Sequence, residues 1–258
     1  MTNQVTMETV RVGAVGERAL LADLYRPSMS NGCGVLLVFG GAFAFGDRKQ
    51  LGGYAIALGR AGYTSLACEY RLAGESFWPA QLDDVLTAFD YFRGEAKALG
   101  LSPSKFAVSG NSAGGCLALL VAGQRPTEVA AAVAFYPPVD FLSADTKSKV
   151  EIRDMRYLVG GDVTEEKLAA MSPINFVNSS FPPTLLLHGN RDARVHWKES
   201  ARMHETLINA GVGAELHIFD GLGHSYDQQL EYGKLSATIV TQFLDHHLLT
   251  NRGVAAKS

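Results

Sequence analysis

Short apolar runs rich in β-branched residues alternate along this 258-residue chain with longer stretches whose apolar residues recur at helical spacing. A strand buried on both faces reads as a continuous apolar run, and each crossover between parallel strands supplies a helix, so the alternation predicts an α/β fold. The sheet should be mostly parallel and eight-stranded, with helices on both faces. Strands are expected over 8–12, 20–25, 35–39, 64–69, 106–109, 131–136, 184–188 and 214–219. Covering helices are expected over 54–61, 79–99, 113–124, 198–210 and 228–249, the second opening on Pro79, where a fixed φ suits a first helical turn. One connection breaks the rhythm. The stretch 143–178 is polar, irregular and long for a simple crossover, and is expected to form a small lid within a single domain spanning 1–258. The small, polar tail 251–258 is expected to fray.

Composition narrows the function classes. A net charge of -3 leaves no basic surplus to attract phosphates, which argues against a nucleic-acid partner. The start, MTNQVTMETVRVG, lacks the basic stretch and apolar run of a secretory signal, and no later run approaches about 18 uninterrupted apolar residues. The expectation is a soluble, cytoplasmic protein with no membrane partner; a homodimer is compatible with it. Cys33, Cys68 and Cys116 are odd in number, widely spaced and set in apolar stretches, which reads as reduced, buried thiols. Without HExxH, paired CxxC or a carboxylate cluster at ligand spacing, neither a metal nor a cofactor is implied.

The strongest local signal is Phe106-Ala107-Val108-Ser109-Gly110-Asn111-Ser112-Ala113-Gly114-Gly115, followed by an apolar helical run. It contains GxSxG between a strand and a helix. A nucleophilic serine must stand exposed on a strained turn, and flanking glycines let the backbone bend without a Cβ clash. The helix beginning near Ala113 then aims unpaired N–H groups at the carbonyl under attack. A phosphate loop would need GxxxxGK[ST] or GxGxxG after the first strand, and the turn at Ser112 has neither a lysine nor that spacing.

A serine hydroxyl needs a base, and histidine, with an unperturbed pKa of about 6.5, suits neutral pH. Of seven histidines, His224 lies in a glycine-flanked loop after the last strand, Gly221-Leu222-Gly223-His224, from which an imidazole can reach across the strand ends. His196, His204, His246 and His247 read as solvated positions and His217 as an alternating strand residue. His188 ends a strand but precedes the candidate acid, whereas a nucleophile elbow is followed by acid and then histidine, so it reads as structural. Asp192, just past the apolar strand Leu185-Leu186-Leu187-His188, is the leading acid, with Asp140 the alternative, and Asp227 lies too close to His224 in sequence to compete. In that arrangement Asp192 fixes the tautomer of His224 and stabilises the imidazolium.

The third strand runs into Phe39-Gly40-Gly41-Ala42-Phe43-Ala44-Phe45-Gly46-Asp47, a glycine-rich turn that exposes backbone N–H groups. With this turn, the chain resembles small carboxylesterases of the α/β-hydrolase superfamily, near the hormone-sensitive-lipase-like and feruloyl-esterase-like groups, whose corresponding loop reads HGGGW. Nearly the whole chain takes part: the turn itself, Glu69-Tyr70-Arg71-Leu72 with Trp78-Pro79-Ala80, the Gly110 to Gly115 turn, His188-Gly189 to Asp192, and Gly221 to His224. The resemblance implies that the N–H groups of Gly41, Ala42 and Ala113 bind an oxyanion, with Gly40 shaping the turn. Phe39 stands where the family has histidine and Ala42 where it has a third glycine, which implies a lost polar anchor and a tighter, drier pocket. The long N-terminal cap of hormone-sensitive-lipase-like enzymes and their DPLxD acid loop are missing, which points to the shorter feruloyl-esterase-like or formamidase-like branch.

Pocket candidates are Phe39, Phe43, Phe45, Trp78 and Tyr136, with Tyr157 and Leu158 on the lid, and Arg71 reads as half of a structural ion pair. Three functions stay open at this point: hydrolysis of small carboxylic esters through an acyl-enzyme, cleavage of an activated amide by the same three residues, or ligand binding on a hydrolase scaffold without turnover. In every case the partner is a small molecule, an ester or an amide.

Overall fold

The computed structural model describes residues 3–143 and 152–250. Its strands are β1 (Val5–Val15), β2 (Arg18–Pro27), β3 (Gly34–Val38), β4 (Thr64–Cys68), β5 (Phe106–Asn111), β6 (Ala131–Phe135), β7 (Thr184–Gly189) and β8 (Ala214–Phe219). Among the described residues these form one eight-stranded sheet in the order β1-β2-β4-β3-β5-β6-β7-β8. β1 and β2 pair antiparallel, as do β2 and β4, and every pairing from β4 to β8 is parallel. The sheet is thus the mostly parallel one that the apolar pattern predicts. Its central strands β3 to β7 are buried at every residue, which requires cover on both faces.

The helices are α1 (Gly52–Arg60), α2 (Ala80–Gly94), α3 (Ala113–Gln124), α4 (Ile152–Val159), α5 (Glu165–Met171), α6 (Lys198–Asn209) and α7 (Leu230–Leu244). α1 packs with α7, and α2 with α3, while α6 lies along β7 and β8. α3 is apolar around its circumference, and its residues 113–122 are buried, so it forms the centre of the core. No helix of the described residues is long and apolar enough to cross a membrane. Cys33, Cys68 and Cys116 are buried and free; burial pushes the Cys33 thiol up to about 11 and Cys68 up to about 12.

Three boundaries differ from the sequence expectation for physical reasons. β1 runs past 8–12 in both directions, because its ladder with β2 continues from Val5 opposite Pro27 to Val15 opposite Arg18, held by backbone pairing through mostly exposed positions and not by burial. The helix expected over 79–99 ends at Gly94, and the apolar Ala96 beyond it is buried from a turn, whereas the one expected over 228–249 runs through α7 into a π-helical turn, Asp245–Leu249, that buries Leu248. The segment 143–178 is not irregular where it is described: it holds α4, α5 and a short turn of helix, Pro173–Phe176. Met155, Leu158, Val159, Leu168 and Met171 are its buried residues at helical spacing, and Thr164 caps α5 by accepting from the Lys167 N–H at 3.3 Å. Residues 144–151 of the expected lid, and the tail 251–258, lie outside the described residues.

Behind the functional edge, Asp84 on α2 is 1% exposed and receives the Arg71 guanidinium through two contacts of 2.8 Å and the Arg71 backbone N–H at 2.8 Å. This fastens the connection after β4 to α2. Removing one partner of such a pair leaves a buried charge uncompensated, so Asp84→Ala should lower stability by about 3–5 kcal/mol. Urea unfolding checks this: the midpoint should fall with an unchanged slope, and a midpoint equal to wild type would show that the pair carries no stability.

Candidate active site

The site lies at the carboxyl ends of the parallel strands, where loops from different strands converge. β5 ends in Gly110-Asn111, and Ser112 turns the chain into α3 with φ 52° and ψ -123°, outside the regions in which a side-chain-bearing residue is comfortable. The turn is possible because Gly114 has no side chain: a Cβ there would stand 2.1 Å from the Val38 carbonyl oxygen. The Ser112 N–H donates to the Phe135 carbonyl at 2.8 Å, which leaves its hydroxyl raised above the strand end.

The hydroxyl meets a base at once. Ser112 Oγ is 3.0 Å from Nε2 of His224, and Nδ1 of His224 is 2.6 Å from Oδ2 of Asp192. An imidazole that donates Nδ1–H to the carboxylate presents Nε2 as an acceptor to the serine. Asp192 is 6% exposed. Its Oδ1 accepts from the N–H groups of Arg194 at 2.8 Å and Val195 at 2.9 Å. Burial pushes this carboxyl up, but hydrogen bonds from His188 and His224, the imidazole's charge and the Val195 N–H outweigh it and hold Asp192 well below the usual carboxylate range.

His188 lies beneath this array. Its Nδ1 is 2.8 Å from Ser200 Oγ, and its Nε2 is 3.1 Å from the Val195 carbonyl and 3.3 Å from Asp192 Oδ2. It therefore supports the acid and does not face the serine. Asp140 is occupied elsewhere, accepting from the Leu142 and Ser143 N–H groups in a turn and pairing with Arg202 at 3.2 Å.

The loop after β3 closes over the serine. Gly41, Ala42 and Phe43 take φ values of 135°, 51° and 61°, and the Gly41 carbonyl accepts from the N–H groups of Ala44 and Phe45 at 2.9 and 3.0 Å. Gly41, Ala42 and Ala113 line the same cavity as Ser112 and His224. Ala113 opens α3, where the first N–H groups have no intrahelical acceptor. The loop has not lost its polar anchors with the histidine: Asn111 Oδ1 accepts from the Gly40 N–H at 2.7 Å, and the Tyr70 hydroxyl donates to the Phe39 carbonyl at 3.0 Å.

The cavity has a volume of about 610 Å³. Phe43, Phe45 and Tyr136 line it, as does Leu158, joined by Phe141 and Met155, which the sequence reading missed. Phe39 does not: parity along β3 turns its ring inward, 1% exposed and stacked on Tyr70 at 4.4 Å. Trp78 sits behind Phe43, edge-on with ring centroids 6.5 Å apart, and reaches the cavity only through that ring. Tyr157 points away, its hydroxyl against Gly74. Nor is the pocket dry, since Gln50, Arg194, His196 and Gln228 line it as well.

A second carboxylate lies nearby. Asp227 accepts a short hydrogen bond from the Tyr136 hydroxyl, and the Tyr136 ring packs at 4.5 Å from the His224 imidazole. Asn111 Nδ2 donates to the same hydroxyl at 3.4 Å, so the chain Gly40, Asn111, Tyr136, Asp227 runs beneath the site. Burial pushes the Asp227 carboxyl up. Among the described residues no group of three or more His, Cys, Asp or Glu is placed to hold a metal ion.

Comparison with known proteins agrees with this architecture. A model of the BD-FAE family matches residues 22–207. Esterase LipC of Mycobacterium tuberculosis is 30% identical over 233 residues, a match covering 81% of this chain and 57% of LipC, so the chain spans little more than half that relative's length. Among solved structures, a truncated carbohydrate esterase from gut microbiota superposes with a TM-score of 0.82 at 23% identity, covering 96% of this chain and 98% of its own. A bacterial heroin esterase superposes with a TM-score of 0.82 at 24% identity, covering 95% and 84% respectively.

The depressed Asp192 carboxyl has a consequence for stability. Its unfolded value is about 3.9 and its folded value lies below, so the stability it adds is present above about pH 4 and is lost as pH falls towards the folded value. Urea unfolding of wild type and Asp192→Asn between pH 6 and pH 2.5 should show a stability gap that is constant at the upper end and narrows below about pH 4. A gap equal at both ends would mean that the carboxylate is not held in this way.

Proposed function

Since the chain belongs to the BD-FAE family and takes the α/β-hydrolase fold, we propose that it is a serine hydrolase cleaving small carboxylic esters. The observation that carries the reading is the unbroken hydrogen-bond chain from Ser112 Oγ through His224 to Asp192, beside a cavity that Gly41, Ala42 and Ala113 line as well. LipC and the two solved structures described above are esterases by name, which supports the same chemistry.

In this reading Ser112 Oγ attacks the ester carbonyl while its proton passes to Nε2 of His224. The imidazolium is stabilised by Asp192, which keeps its own charge because its carboxyl is held so far down. The N–H groups of Gly41, Ala42 and Ala113 receive the oxyanion, and each such donor is worth about 10²–10³-fold in turnover. Collapse expels the alcohol, which takes the proton from His224; water, deprotonated by the same imidazole, then releases the acid and restores Ser112. The segment 143–178 serves as a lid within one domain, with Met155 and Leu158 as its contribution to the pocket wall. The three buried free thiols suit a cytoplasmic setting, and the chemistry calls for no cofactor.

Wild type should hydrolyse p-nitrophenyl acetate and butyrate and take one fluorophosphonate label, read by intact mass. Ser112→Ala should take none and lose about 10⁴-fold or more in turnover, His224→Ala should lose a similar factor, and Asp192→Asn about 10⁴-fold. Labelling that persists in Ser112→Ala would sink the assignment of the nucleophile, and a wild type that neither labels nor turns over would favour a binding protein.

A further inference from the structure

The cavity wall is divided in character. Phe43, Phe45, Phe141, Met155 and Leu158 make one side apolar, whereas Arg194 brings a full positive charge to the side formed by the loop between β7 and α6. Its position is fixed at the root: the Arg194 N–H donates to Asp192 Oδ1 at 2.8 Å, the carboxylate that orients His224. Arg194 is exposed, and its side chain has neither an ion pair nor a hydrogen bond among the described residues.

Among the described residues no carboxylate of the wall pairs with it. Glu199, the carboxylate that lines the same cavity, is 1% exposed and fully engaged. Its Oε2 accepts from the Val139 and Asp140 N–H groups at 3.0 Å each, and its Oε1 from the Ser143 hydroxyl at 3.2 Å and Arg202 at 2.9 Å. The surrounding loop adds to the field. Arg191 and Lys198 are exposed and carry no ion pair among the described residues, while the loop's acid, Asp192, is buried.

An unpaired guanidinium beside a reacting centre attracts an anion, holds a carboxylate through two parallel hydrogen bonds and raises the local concentration of negatively charged ligands. Resting on the ester-hydrolase reading above, we propose that the preferred substrate is an anionic ester: an apolar portion seated on the aromatic wall, and a carboxylate on the acyl or alcohol part received by Arg194. A neutral ester of the same length would gain nothing from that side of the cavity.

The test uses two matched pairs followed by pH-stat: monoethyl adipate against ethyl hexanoate, with the charge on the acyl part, and 5-acetoxypentanoate against pentyl acetate, with the charge on the alcohol part. In at least one pair, wild type should favour the anionic member in kcat/KM by about tenfold, chiefly through KM, and the preference should shrink when ionic strength rises from about 10 mM to about 500 mM. The ratio should fall to one or below in Arg194→Gln and lower still in Arg194→Glu. Both substitutions keep the backbone N–H that Asp192 binds and change only an exposed side chain, so each variant can be read by its own anionic-to-neutral ratio. Turnover of the neutral esters without any anionic preference, or a preference that survives in Arg194→Gln, overturns this proposal alone. A wild type that hydrolyses none of the four and takes no fluorophosphonate label overturns it together with the reading beneath it.

Discussion

Everything at the carboxyl edge of this sheet depends on how closely two backbone segments approach each other, residues 38–40 at the end of β3 and residues 110–114 where β5 passes into α3. A Cβ on Gly114 would meet the Val38 carbonyl oxygen at 2.1 Å, and a Cβ on Gly40 would meet the Asn111 carbonyl oxygen at 2.5 Å and Ser112 Cβ at 3.0 Å. The two turns therefore interlock through positions with no side chain. That contact makes the serine turn and the Gly41-Ala42 loop one packing unit, so the hydroxyl and the backbone donors on either side of it are placed together. It also explains why Ser112 tolerates its positive φ. The surrounding backbone leaves the residue nowhere to relax, which is the condition under which strain at a functional site persists.

The parts of the site that were legible in the sequence are those with a local signature. Ser112, Asp192 and His224 each follow the end of a strand beside glycine, and their order along the chain matches the elbow arrangement, so composition and spacing were enough to single them out. The parallel sheet was legible for a similar reason, since strands buried on both faces leave continuous apolar runs. Side-chain direction was not. Phe39 and Phe43 look alike as aromatics flanking a glycine turn, yet one lies in the core on Tyr70 and the other lines the cavity, and only the strand's parity and the left-handed turn between them decide which. Long-range partners were invisible as well. Asn111 reaches Gly40 across 71 positions and Tyr136 reaches Asp227 across 91, and no local pattern announces either pairing.

Asp227 shows what that blindness concealed. Set aside as too near His224 in sequence, it is instead a second carboxyl, bonded to the hydroxyl of the Tyr136 ring that packs against the imidazole. The two acids near His224 are driven in opposite directions. Asp192 is buried too, but two histidines and two backbone N–H groups converge on it and keep it charged, whereas for Asp227 burial prevails over the Tyr136 hydroxyl and pushes its carboxyl up. Environments that separate the titration of neighbouring carboxyls assign them different work. Here the one in contact with the imidazole is the one whose titration is pushed down. His188 completes the arrangement: its Nε2 lies between the Val195 carbonyl and Asp192, and its Nδ1 meets the Ser200 hydroxyl, so it supports the acid from below.

The loop over the serine raises the same issue of strain held in place. Ala42 and Phe43 are consecutive residues in the left-handed region, a conformation that costs of order 1–3 kcal/mol per residue when a side chain is present. Such a loop holds its shape only if fastened along its length, and hydrogen bonds from the connection after β4, from the serine turn and from within the loop itself do so. The Tyr70 hydroxyl holds Phe39 at the start, Asn111 holds Gly40, the Gly41 carbonyl gathers Ala44 and Phe45, and the Ala73 N–H holds Phe43 at 2.8 Å. Of these, Asn111 is the one that belongs to the serine turn itself. Its carboxamide joins the strained loop to the strained nucleophile on one side and to Tyr136 and Asp227 on the other. The polar anchor that a histidine in the loop would have supplied from above is thus supplied from below, by the residue that precedes the serine, which couples the two strained backbones through a single buried side chain.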